Sequence, residues 1–202
     1  MTSTESPERV TLGAKACEAY LGRVNLNLGC GCHPFTDETA HGDRVWINLD
    51  RVPGWADVVC DLGRDAIPLP SDSVDCVYAS HVLEHIPDLI HAMREIHRVL
   101  KPGGHLVAAT PYAGSDGAWD DPTHCRAFTQ NSWQYFDARL YRTPDRASHY
   151  PSPIEFCFDV IQIGLVAEPD LAHLPQDILR ERMRFERNII MEMQAILRKV
   201  IA

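Results

Sequence analysis

The sequence predicts an α/β protein built on a largely parallel β-sheet covered on both faces. Three observations carry this. The segments 24–28, 44–50, 56–62, 74–80 and 105–110 are apolar almost throughout, as strands buried on both faces are. They alternate with loop or helical crossovers, the pattern of parallel pairing. The first of them runs directly into a glycine turn, LGCG, where sheets of this class open a ligand crevice at the carboxyl ends of their strands.

Taken in order, residues 7–21 (PERVTLGAKACEAYL) place Pro7 at a helix start and Val10, Ala14, Cys17 and Leu21 three to four residues apart, which predicts one amphipathic helix serving as a lid or as packing. RVNLNLGCGC gives the first strand, RVWINLD a second ending on Asp50, and ADVVCDL a third ending on Asp61. After the loop GRDAIPLPSDS comes VDCVYAS, then the helix PDLIHAMREIHRVL, which KPGG stops before the fifth strand, HLVAAT. The polar, aromatic-rich stretch YAGSDGAWDDPTHCRAFTQNSWQYFD is too long for a plain connector and is expected to line a site. A charged helix is expected over about 175–187, as a subunit contact or a pocket cover. In IIMEMQAILRKV, Met191, Met193, Ala195 and Leu197 alternate with polar residues, so period two predicts a strand. It pairs with 154–167 as an antiparallel hairpin, roughly 154–167 against 189–200.

The chain's 202 residues are 45% hydrophobic and show no composition break, so one domain over 1–202 is expected. Its parts are the helix or lid at 1–22, a cofactor-binding half at 23–111, an acceptor-site region at 112–150 and the terminal strands and helix at 151–202. A net charge of -9 and the lack of a basic stripe argue against nucleic acid as a partner. A polar N-terminus and no run near the roughly 20 apolar residues of a membrane span predict a cytoplasmic protein without a membrane partner. Seven scattered cysteines read as reduced thiols. Cys30 and Cys32 beside His33, with His124 and Cys125 far along the chain, offer a metal cluster as one reading and a tight turn of small residues as the adopted one; no metal is assigned.

The strand ends carry the chemistry. Gly29 and Gly31 allow a sharp turn and close approach of the backbone to a ligand. Asp50, ending the second strand about twenty residues later, is placed to accept both hydroxyls of a ribose. Pro34 stands where a dinucleotide fingerprint wants a small residue, which disfavours a nicotinamide cofactor. Asp61 and the Leu62 amide are placed to pair with an adenine amino group and ring nitrogen. Groups for an amino acid, a ribose and an adenine together describe S-adenosyl-L-methionine.

NLGCG, INLD, IPLPSDSVDCVYASHVLEHI and EIHRVLKPGGHLVAATP, spanning about 24–111, resemble the class I S-adenosylmethionine-dependent methyltransferases of small-molecule type, and DPTHCRAFT resembles a loop of a subset of them. The resemblance implies a Rossmann-like three-layer sandwich with a seven-stranded, mostly parallel sheet and an antiparallel last strand. It implies Gly29, Cys30 and Gly31 beside the methionine part, Asp50 on the ribose, and Asp61 with Leu62 on the adenine. Asn27 stands where many relatives carry an acid for the cofactor's ammonium group.

Methyl transfer from a sulfonium asks chiefly for alignment and, where the acceptor is protonated, a base. His81, His85 and His124 are the candidates, His85 first, with His81 and His85 expected on one face of a helix and Ser80 or His81 touching the methionine part. Asp121, His124 and Arg126 are expected to recognise a polar small-molecule acceptor, and Trp119, Phe128, Trp133, Tyr135 and Phe136 to divide between its pocket and the core. Three rivals stand beside methyl transfer: internal alkyl transfer on the same cofactor, an inactive cofactor-binding subunit, and the least favoured, a zinc hydrolase, since His81, Glu84 and His85 spell H-x-x-E-H. A homodimer is compatible with all of them.

Overall fold

The computed structural model describes residues 19–35, 44–137, 139 and 156–200. Seven strands form one sheet: β1 Val24–Leu28, β2 Val45–Asp50, β3 Val58–Val59, β4 Val74–Ser80, β5 Leu100–Pro111, β6 Phe158–Ala167 and β7 Ile190–Lys199. Their order across the sheet is β3-β2-β1-β4-β5-β7-β6, with β7 antiparallel to both its neighbours and β1 to β5 mutually parallel. The strand order reverses between β1 and β4, and a crevice at the carboxyl ends of that pair is the ligand position of such sheets.

The central strands are apolar because both faces are covered: Leu26, Leu28, Val74, Val77, Leu106 and Ala108 are fully buried. The helix α1, Leu89–Val99, covers one face with Ala92, Met93, Ile96 and Val99. Asp88 caps its first turn by accepting the His91 amide at 2.9 Å, and His97 and Arg98 sit in its last turn, where the helix dipole favours cations. The described residues also include two short α-helices, α2 Gln130–Gln134 and α3 Gln176–Arg182, and 3-10 turns at Leu83–His85, Asp116–Ala118 and Pro169–Leu171.

The expected α/β fold, the seven-stranded sheet and the terminal hairpin are as the sequence predicts. Four details differ. β3 is only two residues long, and Asp61 lies beyond it in a turn whose carbonyl accepts the amides of Arg64 and Asp65. KPGG is not a stop between elements: β5 begins at Leu100 and passes through it, with a register shift against β4 and Gly103 at φ 78°. Residues 81–88 do not continue a helix. His81 has φ 52°, Leu83–His85 form a single 3-10 turn, and α1 starts only after Pro87. The charged helix is shorter than expected, ending at Arg182. The helix expected at 7–21 and the far part of the acceptor-site region lie largely outside the described residues.

Candidate functional site

The turn after β1 and the turn after β4 face each other across the switch point. Gly29 has φ 62°, and a methyl group on it would stand 2.3 Å from Val82 Cγ2, so the two turns interlock there without room for any side chain. Gly31, φ 50°, differs: a Cβ on it would meet nothing within 4 Å. It lines a cavity of about 270 Å³ with Asn27, Cys30, Phe35, Tyr78, Ser80 and His81. That is slightly below the usual volume of a small-molecule pocket, about 300 Å³ or more, so the cavity holds one end of such a ligand and the rest lies along the strand ends.

Asp50 joins this turn to β2. Its Oδ2 accepts the Gly31 amide at 2.9 Å and its Oδ1 the Val52 amide at 2.9 Å, which fixes the carboxylate while leaving each oxygen a second lone pair for a hydroxyl. Asp61 Oδ1 accepts the Gly63 amide at 3.0 Å. Leu62 is buried, and none of the described residues accepts its amide.

Asn27 is 4% exposed, and its orientation is dictated by Asn48, its register partner on β2. Asn48 Oδ1 accepts the Phe35 amide at 2.8 Å, while its Nδ2 donates to the Phe35 carbonyl at 2.9 Å and to Asp57 Oδ2 at 3.0 Å. Asn48 therefore cannot flip, and Asn27 must donate Nδ2 to Asn48 Oδ1, at 3.1 Å. This leaves the Asn27 carbonyl oxygen available to a cation in the cavity. A neutral acceptor thus occupies the place where an acid was the common alternative.

His81 follows β4. Its amide donates to the Ala109 carbonyl, and its ring lies between two acids, Nε2 3.0 Å from Glu192 Oε2 and Nδ1 3.4 Å from Glu84 Oε1. Burial pulls its pKa down, but the hydrogen bond to Glu192 and the carboxylate charges of Glu84 and Glu192 outweigh burial and push it up to about 10. At neutral pH the ring is a cation without a lone pair, so a role as general base does not follow for His81. Nor do His81 and His85 share a helical face, and the zinc pair of H-x-x-E-H is not formed.

His85 instead meets His124, with ring centroids 4.6 Å apart. The loop 121–126 is stapled onto the turn 83–87: the Cys125 amide donates to the Glu84 carbonyl at 2.8 Å, and Arg126 donates to the Pro87 carbonyl at 2.7 Å. Arg126 is thus partly engaged in holding the loop, and Asp121 accepts both the amide and the hydroxyl of Thr123. Of the aromatic residues expected around an acceptor, Phe128, Trp133 and Phe136 are core, whereas Trp119 and Tyr135 are exposed. Cys30 is buried and Cys32 exposed, and neither joins a group of three metal-ligating side chains among the described residues. Sequence reasoning did not identify Asn48, Glu192 or Thr123; of these only Asn48, opposite Asn27 on the adjoining strand, left a signal, in its alternation along β2.

A methyltransferase domain model matches residues 26–108. Malonyl-[acyl-carrier protein] O-methyltransferase of Serratia marcescens is 32% identical over 126 residues, covering 54% of this chain and 49% of that protein. The chain spans about half the length of such curated relatives, or less. In fold it is similar to a SAM dependent methyltransferase from Archaeoglobus fulgidus, with TM-score 0.69 and 18% identity over 96% of this chain and 95% of that one. It is also similar to the [4+2]-cyclase SpnF, with TM-score 0.61 and 16% identity over 100% and 84%. No helix among the described residues is long and apolar enough to cross a membrane. The switch-point crevice, the open space at Gly31 and the free acceptor on Asn27 fit a ligand with an ammonium group and a ribose, and the segment 26–108 that carries them matches the methyltransferase domain of S-adenosylmethionine-dependent enzymes, whose cofactor is S-adenosyl-L-methionine.

Proposed function

We propose that the protein transfers the methyl group of S-adenosyl-L-methionine to an oxygen, nitrogen or sulfur atom of a small-molecule acceptor. The observation that carries this reading is the fixed set of acceptors and donors around the switch point. Asn27 Oδ1 would take the ammonium group, the backbone around Gly29, Cys30, Gly31 and Ser80 would enclose the methionine part, and the Asp50 carboxylate would take the ribose hydroxyls. Asp61 and the Leu62 amide would read the adenine. Bound there, the cofactor supplies an electrophilic methyl group on its sulfonium. The His81 cation, held by two glutamates, would shape the cavity wall.

On the acceptor side, the loop 121–126 is the proposed recognition segment. Asp121 and the part of Arg126 not spent on Pro87 would recognise polar groups, and Trp119 and Tyr135 offer exposed apolar area. With His85 Nδ1 donating toward Thr123 Oγ1 and His124 Nδ1 toward the Ala118 carbonyl, either ring would offer its Nε2 lone pair to take an acceptor's proton.

Incubation with methyl-labelled cofactor and candidate hydroxy, amino and thiol acceptors tests the reading. Label in the acceptor with release of S-adenosylhomocysteine is expected. Release of methylthioadenosine would replace it with internal alkyl transfer, and tight cofactor binding without turnover on any acceptor class would favour a binding subunit.

A further inference from the structure

Among the described residues, one buried carboxylate has an ion-pair neighbour but no hydrogen bond. Glu84 is 1% exposed, and neither of its oxygens makes a hydrogen bond. Its neighbour His81 is 3.4 Å away and has its shorter contact with Glu192. A buried carboxylate left without hydrogen bonds is costly and points to a missing partner.

The groups facing Glu84 say what that partner is. Ligand atoms of Glu84, His85 and His124 all lie within 4.8 Å of one another. The tautomers of both histidines are set by what they touch. His124 Nδ1 is 3.0 Å from the Ala118 carbonyl, which can only accept, so the proton sits on Nδ1. His85 Nδ1 is 2.9 Å from Thr123 Oγ1, whose own proton goes to Asp121 Oδ1 at 2.7 Å, so here too Nδ1 is the donor. In each neutral ring the lone pair is therefore on Nε2, that of His124 lying 4.0 Å from Asp121 Oδ2. A ring nitrogen free beside a partner N–H tied to a carbonyl or to a hydroxyl–carboxylate relay is the arrangement that orients histidine ligands.

We propose that Glu84, His85 and His124 form a binding site for one divalent first-row transition-metal ion, with Thr123, Asp121 and the Ala118 carbonyl positioning the two rings. Two imidazoles and a carboxylate suit Zn²⁺, Co²⁺ or Fe²⁺ and leave positions open for water or a substrate oxygen. Donors bound at about 2.0–2.2 Å stand roughly 3.3 Å apart in a tetrahedral site, so side-chain rotation has to draw these groups closer together around the ion. The site uses neither His81 nor the peptidase spacing, and it would tie the loop 121–126 to the turn 83–87. An Nε2 that holds the ion does not take a proton, so loaded and metal-free protein treat an acceptor differently. The site stands independently of the methyl-transfer reading.

Titration of chelator-treated protein with Co²⁺, followed by visible d–d absorption, tests it directly. One ion per chain is expected, displaced by Zn²⁺. His124→Ala should abolish the bands, and Thr123→Val, which removes only the relay, should weaken binding about ten-fold or more. Circular dichroism confirms that each variant is folded. In the wild-type protein, Zn²⁺ should shift the imidazole resonances of His85 and His124, a readout that needs no variant. Absence of one-to-one binding, binding unchanged in folded His124→Ala, or unshifted resonances would overturn the proposal.

Discussion

Asn27→Asp tests whether the hydrogen-bond polarity around the cavity is fixed. Asp is the residue that many relatives are expected to carry there, and on charge alone it would strengthen a contact with an ammonium group. The structure predicts that it harms this chain. Asn27 Nδ2 donates to Asn48 Oδ1 at 3.1 Å, and Asn48 is locked by both backbone groups of Phe35 and by Asp57. A carboxylate at position 27 would aim an oxygen at an acceptor that cannot turn away. The cost is the lost bond, about 1 kcal/mol, plus about 1–3 kcal/mol for a buried, unsatisfied charged acceptor. The sum, about 2–4 kcal/mol, lowers the melting temperature of a domain this size by roughly 4–16 °C. The sign with pH is distinctive. The new carboxyl has a folded pKa raised above its unfolded value, near 3.9. The native state therefore binds the proton more tightly, and the deficit relative to wild type shrinks as pH falls through the folded pKa, when the acid can donate to Asn48 Oδ1. Urea unfolding of both proteins between neutral and mildly acid pH measures this. A variant as stable as wild type at pH 7, or a deficit that does not narrow on acidification, would refute the reasoning.

The two glycines of the first turn should separate stability from binding. Gly29→Ala puts a methyl 2.3 Å from Val82 at a left-handed φ and should cost about 2–4 kcal/mol of stability, partly restored by Val82→Ala, whereas Gly31→Ala, which meets only the left-handed backbone cost of about 1–2 kcal/mol, should lose less stability and lose cofactor affinity. Glu95 is held below the usual glutamate range by its hydrogen bond to Arg98, against the opposing effect of burial, and by the Ile67 amide. Its contribution is present above the unfolded pKa and lost as pH falls through the lower folded one, so the stability gap between wild type and Glu95→Gln should close below about pH 4 in acid unfolding curves. Burial, then the charges of Asp50 and Asp57, push the Cys30 thiol up to about 11, so timed alkylation read by mass spectrometry should modify exposed Cys32 and Cys125 well before Cys30.

The parts of the fold legible in the sequence are those where burial leaves a periodic signature. β1, β2 and β4 read as apolar runs because both their faces are covered, and β7 read as a strand from the alternation of Met191, Met193, Ala195 and Leu197, although Arg182 and the helix α3 lie only a few residues before it. The stretch 81–88 misled because H-x-x-E-H has helical spacing, yet Pro87 disfavours helical backbone at Ile86, and Asp88 is a ready cap for a helix starting later. That signal was present and was outweighed by the motif. Other features had no local signal. Glu192 reaches His81 only because β5 and β7 pair with Pro111 opposite Glu192. His124 meets Glu84 and His85 only because the loop 121–126 folds back over that turn. Strand-end residues such as Gly31 and Asp50 could be placed from spacing alone, since a parallel sheet delivers every strand's carboxyl end to one edge.

The central claim, that these strand ends hold S-adenosyl-L-methionine, is most directly tested by calorimetric titration with S-adenosylhomocysteine, using wild type and Asp50→Ala. Loss of two hydrogen bonds to a half-buried carboxylate, about 2–4 kcal/mol after allowance for solvent, corresponds to a roughly 30- to 1,000-fold weaker dissociation constant. The account predicts saturable binding of one molecule per chain in the wild type and a loss of that size in the folded variant. No binding to the wild type, or equal affinity in Asp50→Ala, would contradict it.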